Sequence, residues 1–257
     1  MIETKNHSRE SLTTVVYSHT EFLDILEIQL DYIQNLNNKV LLINESDLDI
    51  SKITNKFDRV IKYNDSLPYT GRIRCLSELE EEVILFFHDI DILLSVDLTI
   101  LTRLKEIMLL RDIDRIDLQY NDDFNNKLNE EIRIDDDKGG FSLLHQTNGY
   151  VYNVNPSLWK LTALIDVMSA FPDASYRNIE LVAQNYCASN FKFFKLNSTS
   201  HLNCGYFRCL YFFVFLHITH GGKLLSLDSH RLDSNIRDTY RSIFDRYDLG
   251  NSVRNFN

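Results

Sequence analysis

The sequence predicts an α/β fold: a mixed, mostly parallel central sheet flanked by helices, with a more antiparallel portion in its second half. Three observations carry this expectation. Short β-rich runs at 13–17, 40–43, 57–63 and 83–87 alternate with helical apolar stripes, the pattern of βαβ units, whose crossovers make neighbouring strands parallel. The run at 40–43 is apolar throughout, as a strand covered on both faces requires. From Ile116 the pattern changes to alternation, with Ile116, Leu118 and Tyr120 facing one way and Asp117 and Gln119 the other.

After the first strand, Ser18 and Glu21 have capping-box spacing, so a helix begins there. Phe22, Ile25, Leu26, Leu30 and Ile33 give it one buried stripe through about Leu36. Pro68 stops regular structure after the third strand, and Tyr69, Ile73 and Leu76 mark a helix carrying Arg72 and Arg74. Asp97 caps a helix over 98–110 with Leu101, Leu104 and Met108 inward. A short strand is expected at 131–134. The Asp and Gly cluster at 135–140 reads as a solvated turn, because consecutive acids relieve their repulsion by facing water.

Residues 150–154 read as a strand, and Asn155 before Pro156 places a cap and a first-turn proline at the head of a helix carrying Trp159. A second helix begins near Ser175, with Ile179, Val182, Ala183 and Tyr186 inward and Glu180 near its first turn. Residues 229–247 form a closing amphipathic helix. With no repeat and no linker, the chain reads as one domain over 1–257, divided at about 12–115, 116–228 and 229–257.

Bulk properties narrow the function. A chain of 257 residues that is 44% hydrophobic can bury a core without disulfides or a structural metal. Its net charge of -10 argues against nucleic-acid binding, which needs a concentrated basic face. Residues 1–11 lack the apolar centre of a secretory signal, and the apolar stretch at 209–216 is far shorter than the roughly 20 residues of a membrane-spanning helix. A protein with no membrane span, working in the cytoplasm, is expected. Cys75, Cys187, Cys204 and Cys209 form no paired framework, which fits reduced thiols. His201, Cys204, Cys209, His217 and His220 have a superficial zinc spacing, but the interval between Cys209 and His217 is mostly apolar and belongs in a core.

The chemistry concentrates where the run at 83–87 ends in His88, Asp89, Ile90 and Asp91. Charged groups beside five apolar residues are costly to desolvate unless paired. Acids two apart on an extended segment share a face, so both can address one hard, oxygen-seeking cation, Mg²⁺ or Mn²⁺. The competing reading is a polar loop in which one of the two caps the next turn.

This order of elements resembles the glycosyltransferases of the GT-A fold, which carry a DxD motif at the end of a strand; here it reads Asp89, Ile90, Asp91. The resemblance covers most of the chain and implies a nucleotide-sugar-binding first half and an acceptor-binding, catalytic second half. It implies that Tyr17, Ser18 and His19 meet the nucleotide base and that Arg72 approaches the nucleotide or diphosphate, unless it is a solvated helix arginine. Asp89 and Asp91 would hold Mn²⁺ or Mg²⁺, with Asp89 also at the donor. His220, preferred to His217 for its neighbouring glycines, would complete the shell, and Lys223 would face the leaving diphosphate. The family spacing of such a His and later Lys is not reproduced here.

Glu180 has the position of the general base of inverting members, with Asp173 as substitute; a surface helix glutamate is the alternative. The partners implied are a nucleotide-sugar donor, a UDP-sugar favoured, and a glycan or glycoconjugate acceptor. Two other readings stay open. One is a catalytically silent glycan-binding or scaffold protein using Tyr150, Tyr152 and Trp159. The other is a DxD phosphatase, weakened because Ile92, Leu93 and Leu94 follow the motif. No glycine-rich phosphate loop is present, so P-loop and dinucleotide readings lose their motifs.

Overall fold

The computed structural model describes residues 12–120, 130–135, 140–147, 150–198, 200–205, 207–220, 223–227 and 231–251. Its first half alternates strand and helix: β1 (Thr13–Tyr17), α1 (Leu23–Tyr32), β2 (Lys39–Asn44), α2 (Ser51–Thr54), β3 (Arg59–Tyr63), α3 (Tyr69–Ile73) and β4 (Val83–His88). β5 (Asp91–Val96), α4 (Leu98–Arg111) and β6 (Arg115–Tyr120) follow. The second half holds β7 (Glu131–Ile134), β8 (Phe141–His145), β9 (Ser157–Lys160), α5 (Leu161–Ala170), α6 (Tyr176–Val182), α7 (Gln184–Asn190) and β10 (Phe193–Asn197). Short strands β11 (Leu202–Cys204) and β12 (Phe207–Cys209) precede β13 (Phe213–His217), β14 (Thr219–His220), β15 (Lys223–Leu224) and α8 (Ser234–Arg246).

Among the described residues nine strands make the central sheet, in the order β3-β2-β1-β4-β9-β6-β10-β8-β7. β3, β2, β1 and β4 are mutually parallel, and β6 is parallel to β10. β9 is antiparallel to both β4 and β6, so those two run the same way; β8 is antiparallel to both β10 and β7. Only β9 and β8 therefore oppose the common direction. The fold is mixed α/β with a mostly co-directional sheet, and the carboxyl ends of β1, β3, β4, β6 and β10 share one edge.

Alternation along the strands produces two cores. Val16, Leu41, Ile43, Leu85 and Phe87 belong to one buried cluster. Their neighbours Val15, Val40, Leu42, Ile84 and Phe86 belong to the other. Both faces of the sheet are thus covered, which explains the continuous apolar runs of the first half. α4 begins at the expected cap, with Asp97 Oδ1 accepting from the Thr99 and Ile100 amides at 3.0 and 3.3 Å.

Several expectations are corrected. Residues 151–154 join no sheet. Trp159 lies in β9, not on a helix, because 157–160 fill the gap between β4 and β6 and pair with both. The helix starts at Leu161. Ser18 does not cap the first helix: the turn Thr20–Phe22 is capped by His19, whose Nδ1 accepts from the Glu21 amide at 3.1 Å. Ile179 on α6, Ala183 between the helices and Cys187 on α7 are buried, whereas Val182 is exposed, because the helix is interrupted after it. The closing helix starts at Ser234 rather than near 229.

Candidate active site

The chain leaves β4 at His88, turns through Asp89 and Ile90, and enters β5, which abandons the main sheet to pair with β13. That departure decides the geometry of the two acids. Asp89 stays with the sheet edge: its amide donates to the Tyr17 carbonyl at 2.9 Å, and its Oδ2 accepts from the Ser18 hydroxyl at 2.5 Å. Asp91 belongs to the ribbon, directly opposite His217, whose Nδ1 lies 2.7 Å from Asp91 Oδ1. Both acids are buried. Burial pushes the Asp89 carboxyl up to about 7, against the hydroxyl of Ser18, which lowers it.

Two clefts open at this edge and share Phe22, Ile90 and Tyr176 as walls. The first, of ≈ 600 Å³, is lined by Asp89 and by aromatic residues from four elements. Tyr17 stacks on Tyr63 at 5.6 Å between ring centres, and Tyr69 and His88 present their rings edge-on to it at 5.5 and 5.2 Å. Tyr176, from the start of α6, meets His88 edge-on at 5.3 Å. Burial lowers His88 to about 4, so this imidazole is neutral.

A charged rim borders the rings. Asp65 pairs with Arg72 at 3.0 Å and with His19 Nε2 at 3.1 Å. The Arg72 guanidinium lies over the Tyr63 ring at 5.2 Å. Aromatic surface edged by a few oriented polar groups is the ordinary make-up of a small-molecule site.

The second cleft, of ≈ 870 Å³, has Phe22, Tyr150, Tyr176 and Phe207 on its walls but more polar residues, among them Asp91, Asn153, Asn155, Glu180, Lys195 and His217. Glu180 is half-buried, and each of its oxygens accepts one hydrogen bond. Its Oε1 accepts from the Val154 amide at 2.8 Å and its Oε2 from the Tyr150 hydroxyl at 2.7 Å. One turn on, Gln184 pairs with both the amide and the carbonyl of Tyr152, at 2.9 and 2.7 Å. These two side chains hold the segment 150–154 as a neighbouring strand would. Beneath it, Lys195 donates to the Tyr150 carbonyl at 2.6 Å.

Of the residues singled out in the sequence, Tyr17, His19, Arg72, Asp89, Asp91 and Glu180 line the clefts. Asp89 and Asp91, expected on one face, instead line different clefts because the turn between them redirects the chain. Ser18 is buried and lines neither cleft; its hydroxyl orients Asp89. Lys223 is exposed, and neither it nor Asp173 lines either cleft. The side chain of His220 lies outside the described residues; His217 is the histidine at Asp91. Tyr152 and Trp159 are buried in the core, and of the three proposed sugar-stacking residues only Tyr150 is exposed. Tyr63, Tyr69, Asp65 and Tyr176 were not anticipated. Tyr63 ends a strand and Tyr69 and Tyr176 begin helices, which is the only mark they leave in the sequence.

A cation was the expected cofactor. Among the described residues no three His, Cys, Asp or Glu side chains converge as a ready-made cage. Asp91, His217 and Asp89 nevertheless supply oxygen and imidazole donors of the type that Mn²⁺ accepts, provided that phosphate oxygens and water complete the shell.

No protein-family model matches the chain, and no curated protein matches it. Among solved structures it is similar to TarS of S. aureus, at 15% identity and a TM-score of 0.45, over 73% of this chain and 60% of that one. A UDP-glucose pyrophosphorylase complexed with UDP-glucose is similar at 6% identity and a TM-score of 0.42, over 72% of this chain and 90% of that one. The glycosyltransferase GlyE of Streptococcus pneumoniae TIGR4 is similar at 12% identity and a TM-score of 0.35, over 68% and 44%. The chain thus spans less than two thirds of the length of TarS. Among the described residues no helix is long and apolar enough to cross a membrane.

Proposed function

We propose that the protein is a GT-A-type glycosyltransferase that moves a sugar from a nucleotide-sugar donor, a UDP-sugar favoured, to a hydroxyl of a glycan or glycoconjugate. The observation that carries this reading is the junction of the two clefts at Asp89, Ile90 and Asp91, outside the carboxyl ends of β1 and β4. Ligands of open α/β sheets bind at that edge. An aromatic cleft on one side suits a base. A polar cleft on the other suits sugars.

In this reading the donor nucleotide lies in the aromatic cleft against Tyr17 and Tyr176, with Arg72 and His19 at the rim. Asp91, with His217 behind it and Asp89 across the junction, would hold Mn²⁺ or Mg²⁺ jointly with the diphosphate. When bound, such a cation offsets charge developing on the leaving nucleoside diphosphate. The Ser18 hydroxyl on Oδ2 holds the Asp89 carboxyl at the junction. Phe22, Ile90 and Tyr176 line both clefts, so a donor in one would bring its anomeric carbon beside an acceptor in the other. Glu180 acts as general base, taking the proton from the acceptor hydroxyl as its oxygen attacks; this is the chemistry of inversion.

Thermal-shift measurement over a panel of nucleotides and sugar nucleotides, with and without Mn²⁺, tests the reading. UDP compounds are expected to raise the melting temperature only with the cation present. Asp91→Asn should lose that cation-dependent stabilisation and the release of UDP while melting cooperatively. Equal stabilisation of Asp91→Asn, or none by any nucleotide, would overturn the assignment.

A further inference from the structure

Glu180 and Tyr150 meet on the wall of the polar cleft. Glu180 makes two bonds of different character. The Val154 amide on Oε1 belongs to the segment that Glu180 and Gln184 hold in place, and Val151 and Tyr152 of that segment are buried. The Tyr150 hydroxyl on Oε2 comes from a ring that is 48% exposed. Its backbone is fixed separately, by Lys195 on its carbonyl. The phenol can therefore leave Oε2 without dismantling the segment.

It also has the donor chemistry of an alcohol. Burial, together with the hydrogen bond to Glu180, raises its pKa, so it stays protonated and donating. We infer that Tyr150 is a positioning residue that occupies, with its own hydroxyl, the place on Glu180 Oε2 where a ligand hydroxyl donates, and that a polyol or sugar enters the cleft by displacing it. This rests on the assignment of the polar cleft to the acceptor, but its test needs no donor and no turnover.

Displacement exchanges one hydroxyl-to-carboxylate bond for another, so the resident phenol works against the ligand. Because one such bond replaces another, roughly tenfold in affinity is the expected scale of removing the competitor. Tyr150→Phe keeps the ring and the backbone while removing the donor. The probes are glycerol, methyl α-glucoside and methyl β-galactoside, titrated without nucleotide or metal and followed through the Val154 amide by NMR. Tyrosine ring carbons are observed in parallel, the Tyr150 signal being the one missing from Tyr150→Phe.

The expected result is a saturable response that moves both the Val154 amide and the Tyr150 ring signal, a Kd about tenfold lower in Tyr150→Phe, and weaker binding in Glu180→Gln. A Kd that is equal or higher in Tyr150→Phe overturns the inference, as does the absence of a saturable response to every probe in both proteins. A merely structural role for Tyr150 would lower the melting temperature of Tyr150→Phe and leave the probe Kd where it was. Failure of the glycosyltransferase reading is separate: the nucleotide panel would be silent while the polyol response stands.

Discussion

Asp89 is a single residue whose environment opposes its charge. Its carboxyl is buried, and burial lifts it from the ordinary 3.8 to about 7. In the unfolded chain it ionises near 3.8, so between about pH 4 and pH 7 the unfolded state loses a proton that the folded state keeps. Stability therefore falls as pH rises through that window, and the penalty is complete above pH 7. Asn at this position can still accept the Ser18 hydroxyl and carries no charge. Asp89→Asn should stabilise the ligand-free protein, and by roughly 2–3 kcal/mol more at pH 8 than at pH 5. Urea melts at the two pH values check this; parallel curves for wild type and variant would refute it. The same variant should lose the Mn²⁺-dependent response to nucleotides, because the costly charge is what a cation would bind.

At the scale of elements, the segment 150–154 explains both a misreading and a dependence. Its composition is that of a strand, yet the side chains of Glu180 and Gln184, one helical turn apart, take the place of a partner strand. Gln184→Ala leaves the amide and the carbonyl of the buried Tyr152 unpaired, and a loss of roughly 2–4 kcal/mol follows. Denaturation measures the loss, and faster hydrogen exchange of the Tyr152 amide locates it; an exchange rate unchanged from wild type would remove Gln184 from this role. The parallel first half was legible because its periodicity is local: β1 to β4 and the Asp97 cap follow from runs and caps read in place. β9 was not, because Asn155 and Pro156 give a genuine local helix-start signal that pairing with β4 and β6 overrides. The site was legible in part for the same reason. Asp89 and Asp91 stand in a run that any reader can see, whereas His217 reaches Asp91 only through the register of β13 on β5, 126 residues apart in sequence.

At the scale of the molecule, the parallel half and the second half of the sheet are joined through β9, and the joint is built around a buried cation. Arg115 is 1% exposed. Its guanidinium lies 5.0 Å from the centre of the Trp159 ring and 5.7 Å from those of Tyr152 and Phe193. It donates to Ser157 Oγ at 2.7 Å and to Asn153 Oδ1 at 2.5 Å. Asn153 in turn donates to the buried Asp117 at 2.5 Å and lines the polar cleft. The network thus ties β6, β9 and the segment 150–154 together and orients a cleft residue. A buried charge whose partner is removed is strongly destabilising, whereas replacing both partners is far better tolerated. Arg115→Met should cost about 3–5 kcal/mol, because it leaves Asp117 uncompensated, and adding Asp117→Asn should recover a substantial part of the loss. The recovery is the informative quantity: a double-mutant cycle by chemical denaturation in which the two changes simply add would mean that Arg115 and Asp117 are independent core residues and that the halves are held by apolar packing alone.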